Sequence, residues 1–417
     1  MTSLVRPLTA LCAGLMLAQG VASANIEPSS FDAKSIGAGT TGMAFLESPS
    51  ALAINPANLA RIPKGALSAN LTPVFTVSEA PLAGPNTVVR SDLGFGAIPS
   101  LFGAVRLGDR VVLGLGAYAL GLFGASYSDV DNIYGSGLTG DFELTFVSGE
   151  AAIGIGVEIL PTLDLGVTLR VPFAFQDATI AADLGVAIVP VTATLGGAGW
   201  PGARIGLTWR AHRKVAASIM YRTEATNRLS GDLRTLDGPE LSSNVTAKFS
   251  TPNVLSGGVA VFLAGQALTL ASELHVLFYE ASNQAQTLEF DDGFILETVD
   301  IPLLWQNAFS LRFGADYDIN ALWSVRGGYV ASSSATTKAG AQPVTPPPAW
   351  GHSFAVGFGA HWKSFAVDLA LQSAFSKGRV GSNIDQDSCE AGFFRVGCEG
   401  EYKTVNGSVS VQFVYQR

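Results

Sequence analysis

The chain has 417 residues, a formal net charge of −9, 14% charged residues and a mean hydropathy of +0.32. The acidic balance argues against nucleic-acid binding. Such hydropathy would fit helical membrane spans, yet beyond residue 24 no stretch of about 18 residues is both apolar and free of Gly, Pro and charge. What fits is a membrane protein that crosses with strands, whose lipid-facing residues alternate with inward ones.

Residues 1–24 read as a signal peptide: Arg6 gives the positive end, Leu8–Leu17 the short apolar core, and Ala22-Ser23-Ala24 a small-residue cleavage signal before Asn25. Residues 25–64 form a second unit. Ser35–Pro63 is rich in Gly, Ala, Ser and Pro, lacks an amphipathic period, and centres on Asn55-Pro56-Ala57. Its irregular backbone would leave N–H and C=O groups unpaired in hydrocarbon, so it is expected to sit inside a wall that supplies partners.

Residues 65–417 supply that wall. Leu67, Ala69, Leu71, Pro73, Phe75 and Val77 alternate with Ser68, Asn70, Thr72 and Thr76, and the period recurs along the chain for about 14 strands. Short turns fall at Gly108, Leu160, His212, Gly265, Asn320 and Lys363. Longer connections alternate with them, as periplasmic turns alternate with extracellular loops. In the fourth strand Phe142, Leu144 and Phe146 give way to Ala151, Ile153, Ile155 and Val157 in the opposite phase, which predicts a bulge near 147–149. Trp209, Trp305, Trp323 and Trp362 fall near strand ends, where an aromatic girdle would sit. Inward Arg170, Arg204, Arg312, Glu273 and Asp368 suit a wet lumen. The fold expected is therefore an all-β transmembrane antiparallel barrel with an N-terminal plug in its lumen.

Cys389 and Cys398 are the cysteines beyond the leader, and in an exported chain they predict a loop disulfide. No phosphate loop, zinc spacing or dinucleotide fingerprint appears, so neither cofactor nor metal is expected. His275 shares an inward face with Glu273 and Tyr279. A His–Glu pair can assist hydrolysis, but no serine with an orienting partner stands out, and the chain is not expected to be an enzyme.

The plug with its Asn55-Pro56-Ala57 motif resembles the hatch of the outer-membrane long-chain fatty-acid and aromatic-hydrocarbon transporters, the FadL type. Also similar to that family, in the same order, are Tyr221-Arg222 before Leu229-Ser230-Gly231, Thr251-Pro252 before a strand, and Trp305 through Arg312-x-Gly314-x-x-Tyr317. Trp323-x-x-Arg326-x-Gly328-Tyr329 and the Pro-rich stretch Pro343–Pro348 continue the series. The chain departs from outer-membrane barrels in ending at Arg417 rather than at an aromatic residue.

The resemblance implies passive diffusion of hydrophobic small molecules, long-chain fatty acids first and aromatic hydrocarbons second. They would be caught among outer loops carrying Leu120, Leu122 and Phe123, and released sideways near an inward-kinked third strand. Gly114 and Gly116 suit such a kink, and also suit close packing against the plug. Arg170, Arg204, Arg312 and Arg326 are candidate contacts for a ligand carboxylate, or else partners of Glu150, Glu158, Glu273, Asp316 and Asp368. The expected setting is the bacterial outer membrane and its lipid, as a monomer. A general porin for polar solutes and a structural or adhesive barrel without cargo are the alternatives.

Overall fold

The computed structural model describes residues 31–133, 137–183, 188–235, 242–290, 298–382 and 397–417. Among them, twenty strand segments build fourteen wall strands, six of which are interrupted once. In chain order these are Gly65–Pro81; Val88–Arg90 continued by Gly94–Arg106; Val111–Val130; Gly140–Leu160; and Leu163–Asp183. The sixth to tenth are Ile188–Ala198 continued by Gly202–His212; Val215–Arg222 by Ala225–Thr235; Ser242–Thr251 by Val254–Leu263; Leu268–Leu277 by Ala285–Phe290; and Thr298–Pro302 by Ala308–Asp318. The last four are Trp323–Ser332, Gly351–His361, Phe365–Val380 and Gly400–Gln416.

Each strand pairs antiparallel with its chain neighbour, and the first also pairs with the fourteenth, from Ala66 opposite Gln416 to Glu79 opposite Lys403. That last pairing joins the first strand to the fourteenth and closes the barrel, as lipid requires. Among the described residues no helix is long and apolar enough to cross a membrane. The period-two reading holds in the wall: Leu67, Leu71, Phe75, Ile205, Phe313 and Phe358 are exposed on the outer face, while Ser68, Asn70, Thr72 and Arg204 are buried.

Three expectations change. The fourth strand has no bulge near 147–149; it pairs with the fifth without interruption from Phe142–Ile180 to Glu158–Asp164. Its backbone keeps one phase while the lumen changes chemistry, so Phe142 and Phe146 point inward just as Glu150 does. The irregularity lies opposite, in the third strand, between Ala119 and Gly121. Second, Trp305 is not in the girdle but buried at 2% exposure. The tenth strand breaks between Pro302 and Ala308, where Leu304 has φ +49°, and Trp305 falls out of the outward phase. Third, the lower lumen is not wet: Arg170, Arg204, Asp164 and Thr168 are all buried, because residues 31–62 fill that space.

That filling is built from short pieces. Asp32 caps the helix Ala33–Gly37 by accepting from Ser35 N at 3.1 Å, and its other oxygen accepts from Ser50 Oγ at 2.5 Å and from Gln412 Nε2 of the wall at 2.7 Å. A second helix, Ala51–Ile54, leads through Asn55 into a 3-10 helix, Pro56–Arg61. Proline suits the first position of such a turn, since its missing N–H would have had no helical partner.

Candidate functional site

Asn55, Pro56 and Ala57 lie where this plug meets the fifth and sixth strands. Asn55 is extended (φ −150°, ψ 104°), the geometry favoured before proline. Its Oδ1 accepts from Ala57 N at 3.2 Å, and its Nδ2 donates to Met43 O at 2.8 Å and to Thr208 Oγ1 at 2.9 Å. The Thr208 hydroxyl then donates to Asn58 Oδ1 at 2.9 Å, and Asn58 Nδ2 donates to Met43 O at 2.9 Å. The motif thus binds two turns of the plug to each other and to the wall. Glycines on the wall allow the approach: any side chain at Gly206 would run into Asn55, and at Gly166 into the Pro56 backbone. These glycines carry the plug contact and were missed in the sequence, although their inward phase was legible.

The four candidate arginines all lie at the level of the plug. Arg170 pairs with Glu150; Arg204 lies 3.6 Å from the same carboxylate and donates to Tyr118 Oη at 3.1 Å and Leu52 O at 3.3 Å. Tyr118 completes this cluster by donating to Glu150 at 2.5 Å. Arg326 donates to Asp316 at 2.9 Å and Asp368 at 2.6 Å, and Lys34 of the plug joins Asp316 at 3.1 Å. Arg312 donates to Thr40 O at 3.2 Å. Burying such charges is costly unless they are paired and hydrogen-bonded. Here each arginine has a wall carboxylate or a plug carbonyl, and none lines the apolar cavity described below.

His275 also serves the plug. Its Nε2 meets Glu273 Oε2 at 3.0 Å and its Nδ1 meets Ser256 Oγ at 2.8 Å. Ser256 is the serine that sequence reasoning did not place. The trio has the outline of a hydrolytic triad, but all three members are buried and Glu273 Oε1 accepts from Gly42 N at 2.7 Å and Met43 N at 2.8 Å. The carboxylate therefore holds a plug loop. Tyr279 stands apart, edge-on to Trp305 at 5.3 Å.

Above the plug the inward faces become apolar. Phe123, Phe146, Phe249 and Trp305 surround a cavity of about 60 Å³, with Gln176, Gln286, Gln342 and Thr345 as its main polar lining. The roof is the Pro-rich segment: Gln342, Val344 and Thr345 are buried, and Pro343 O accepts from Tyr127 Oη at 3.0 Å. Leu120, Leu122 and Phe123, expected on an outer loop, belong instead to the buried interior of the third strand, which runs on to Val130.

That strand also breaks the wall. Its ladder with the second strand ends at Ser100 opposite Tyr118, and the next bond upward is Asp92 N to Ser126 O at 2.8 Å. Between them, residues 93–99 and 119–125 face each other without a ladder. Burial alternates below Tyr118 and is continuous from Tyr118 to Tyr127, because the strand turns into the lumen. Phe123 of this stretch lines the cavity, while Ala119 packs on Ile98 and Val74 of the wall. Gly114 and Gly116 lie below the break, in the paired portion, against the plug side chain of Leu52. A second cavity, about 290 Å³, opens at the short-turn end among Lys34, Glu47, His361, Lys363, Asp368 and Gln412; it is charged where the upper one is apolar. Cys398 is buried, and Cys389 lies outside the described residues.

A closed fourteen-strand barrel, plugged at one end and unzipped beside an apolar chamber, is the architecture of an outer-membrane channel rather than of a soluble β-sandwich. The chain belongs to the outer membrane protein transport protein family (OMPP1/FadL/TodX), whose sequence pattern matches residues 14–415. This places it among outer-membrane transporters of hydrophobic compounds.

Its fold is similar to that of a FadL homologue of Pseudomonas aeruginosa (TM-score 0.76, 16% identity, 94% of this chain and 99% of that one). It is also similar to the toluene transporter TbuX of Ralstonia pickettii (0.73, 17%, 93% and 98%) and to the toluene transporter TodX of P. putida (0.71, 15%, 93% and 99%). At these identities the likeness concerns the fold. No curated protein matches the chain.

Proposed function

We propose that this chain admits small, uncharged hydrophobic molecules by passive diffusion: into the chamber above the plug, then sideways through the break between the second and third strands. Residues 1–24 are its cleaved leader, residues 25–64 its plug, and it works as a monomer. The observation that carries the reading is the unpaired stretch 93–99 against 119–125 beside the apolar chamber. Hydrophobic burial of about 25 cal/mol per Å² is enough to hold such cargo with few polar contacts.

Long-chain fatty acids fit less well than single-ring molecules. A carboxylate in that chamber needs a cation, and among the described residues none lines it. The cavity of about 60 Å³ is also well under the roughly 300–1,000 Å³ of drug-sized sites, so a single ring has to displace part of its lining and an extended acyl chain far more of it. A general porin needs an open lumen, whereas here residues 31–62 fill the lower part. The test is uptake of labelled toluene and labelled oleate by cells lacking their own transporters of this kind. Expression of the chain is expected to speed toluene entry more than oleate entry; toluene entry no faster than in empty cells would overturn the reading.

A further inference from the structure

The upper cavity is not uniformly apolar, and its polar groups are incompletely paired. Gln286 Nε2 donates to Gln176 Oε1 at 3.0 Å across the chamber, from the ninth strand to the fifth. An amide offers two N–H donors and a carbonyl with two lone pairs. The bond therefore leaves the Gln176 amino group and the Gln286 carbonyl without partners among the described residues. Turning both amides over exchanges these roles and still leaves one amino group and one carbonyl.

Gln342 of the roof donates through Nε2 to Pro302 O at 2.9 Å, and its own side-chain carbonyl is likewise unpartnered. The indole N–H of Trp305, in the same lining, is buried with no hydrogen-bond partner. All four side chains are more than nine-tenths buried. Buried polar groups are ordinarily satisfied, so several unsatisfied donors and acceptors around one cavity call for a complement.

From this we infer that the site selects neutral aromatic molecules carrying a hydroxyl or carbonyl group, the phenol class, over bare hydrocarbons and over aromatic carboxylates. The inference rests on the transport reading above and sharpens its substrate. A phenolic hydroxyl donates to one glutamine carbonyl and accepts from the Gln176 amino group, while its ring packs among Phe123, Phe146 and Phe249. A bare hydrocarbon covers the same amides and satisfies none, and a site built to bond a hydroxyl discriminates against the analogue that lacks it. A carboxylate brings a charge into a chamber that no cation lines among the described residues.

The experiment uses the full chain, purified in detergent micelles, and three ligands that share one ring: p-cresol, toluene and p-toluate, each radiolabelled for equilibrium dialysis at pH 7. p-Cresol is expected to bind about 10-fold tighter than toluene, the effect of one or two net hydrogen bonds, and p-toluate weakest. In the variant Gln176→Leu/Gln286→Leu the cresol preference should fall to about onefold or reverse, with toluene held at least as well. Gln342→Leu, which leaves that pair intact, is a second variant should the double variant fail to fold; it should reduce the preference in part. Parent protein that binds toluene as well as p-cresol, or variants that keep the parent's ratio, would overturn the inference while leaving hydrophobic transport standing. Parent that binds neither ligand and speeds entry of neither would overturn both.

Discussion

The lower and upper halves of the lumen share one wall and one side-chain period, yet they hold opposite chemistry. Below, inward positions are glycine, arginine and carboxylate: Gly166 admits the plug backbone, Gly206 the Asn55 side chain, and Glu150 and Asp164 face arginines. Above, the same strands turn Phe142, Phe146, Phe249 and Leu195 inward. The difference follows from what fills each half. A plug with exposed carbonyls and N–H groups has to be met by hydrogen-bonding partners, whereas a chamber for lipophilic cargo has to be lined by surface that water leaves readily. An inward charge in this barrel is therefore a mark of plug contact and an inward aromatic a mark of the pathway.

Removing a lower-half charge has the largest expected effect. Glu150→Ala leaves Arg170 and Arg204 buried without their carboxylate, at a cost of about 3–5 kcal/mol. Urea midpoints of the chain refolded into lipid vesicles should show it, with the outward Ile153→Ala costing far less. Equal losses would mean that the lower half is not held by charge. Asn55→Ala should cost about 2 kcal/mol, since it removes a cap and leaves Met43 O and Thr208 short of a donor. The barrel should still fold and keep its shifted gel mobility when unheated, while the plug becomes sensitive to protease. A plug as resistant as the parent's would contradict the hub assigned to the motif.

In the upper half, a Cys389–Cys398 disulfide should contribute about 2 kcal/mol, the low end of the usual range for a short loop. Cys398 follows Gly397, whose N–H donates to Ala341 O at 2.8 Å and so braces the roof segment. Mass spectrometry that finds both thiols free in protein from outer membranes would rule it out. The mildest change is Phe146→Leu, expected to cost less than about 1.5 kcal/mol. It should alter entry of ring-sized cargo and leave the plug's protease resistance untouched; the reverse pattern would assign Phe146 to the plug.

Strand number, closure and the outward faces were legible because the period of two survives in any strand that has lipid on one side. The plug was legible from its irregular, small-residue composition and from Asn55-Pro56-Ala57. The residues that line the chamber were not recognised, although their signal was present. The phase switch between Phe146 and Ala151 reads as a bulge if lumens are assumed polar, and as an apolar chamber once the backbone phase is known. Trp305 was misplaced because the break after Pro302 leaves no mark in hydrophobic pattern. The wall carboxylates that meet the arginines, Glu150, Asp316 and Asp368, were already among the inward partners read from the sequence, whereas the plug contacts, such as Arg204 with Leu52, join residues far apart in the chain and periodicity cannot supply them.

If cargo leaves through the unpaired stretch of wall, closing that stretch stops it. Ile98 and Ala119 pack together at its lower edge. Cysteines at these two positions, in a chain whose own Cys389 and Cys398 are replaced by serine, form a cross-link on oxidation that ties the third strand to the second. Uptake of labelled toluene is then followed with the cross-link formed and again after reduction, at equal surface levels. Loss of uptake on oxidation and its return on reduction is the result expected. Unchanged uptake with the cross-link shown complete by mass spectrometry would contradict the sideways route and return the exit to the plug.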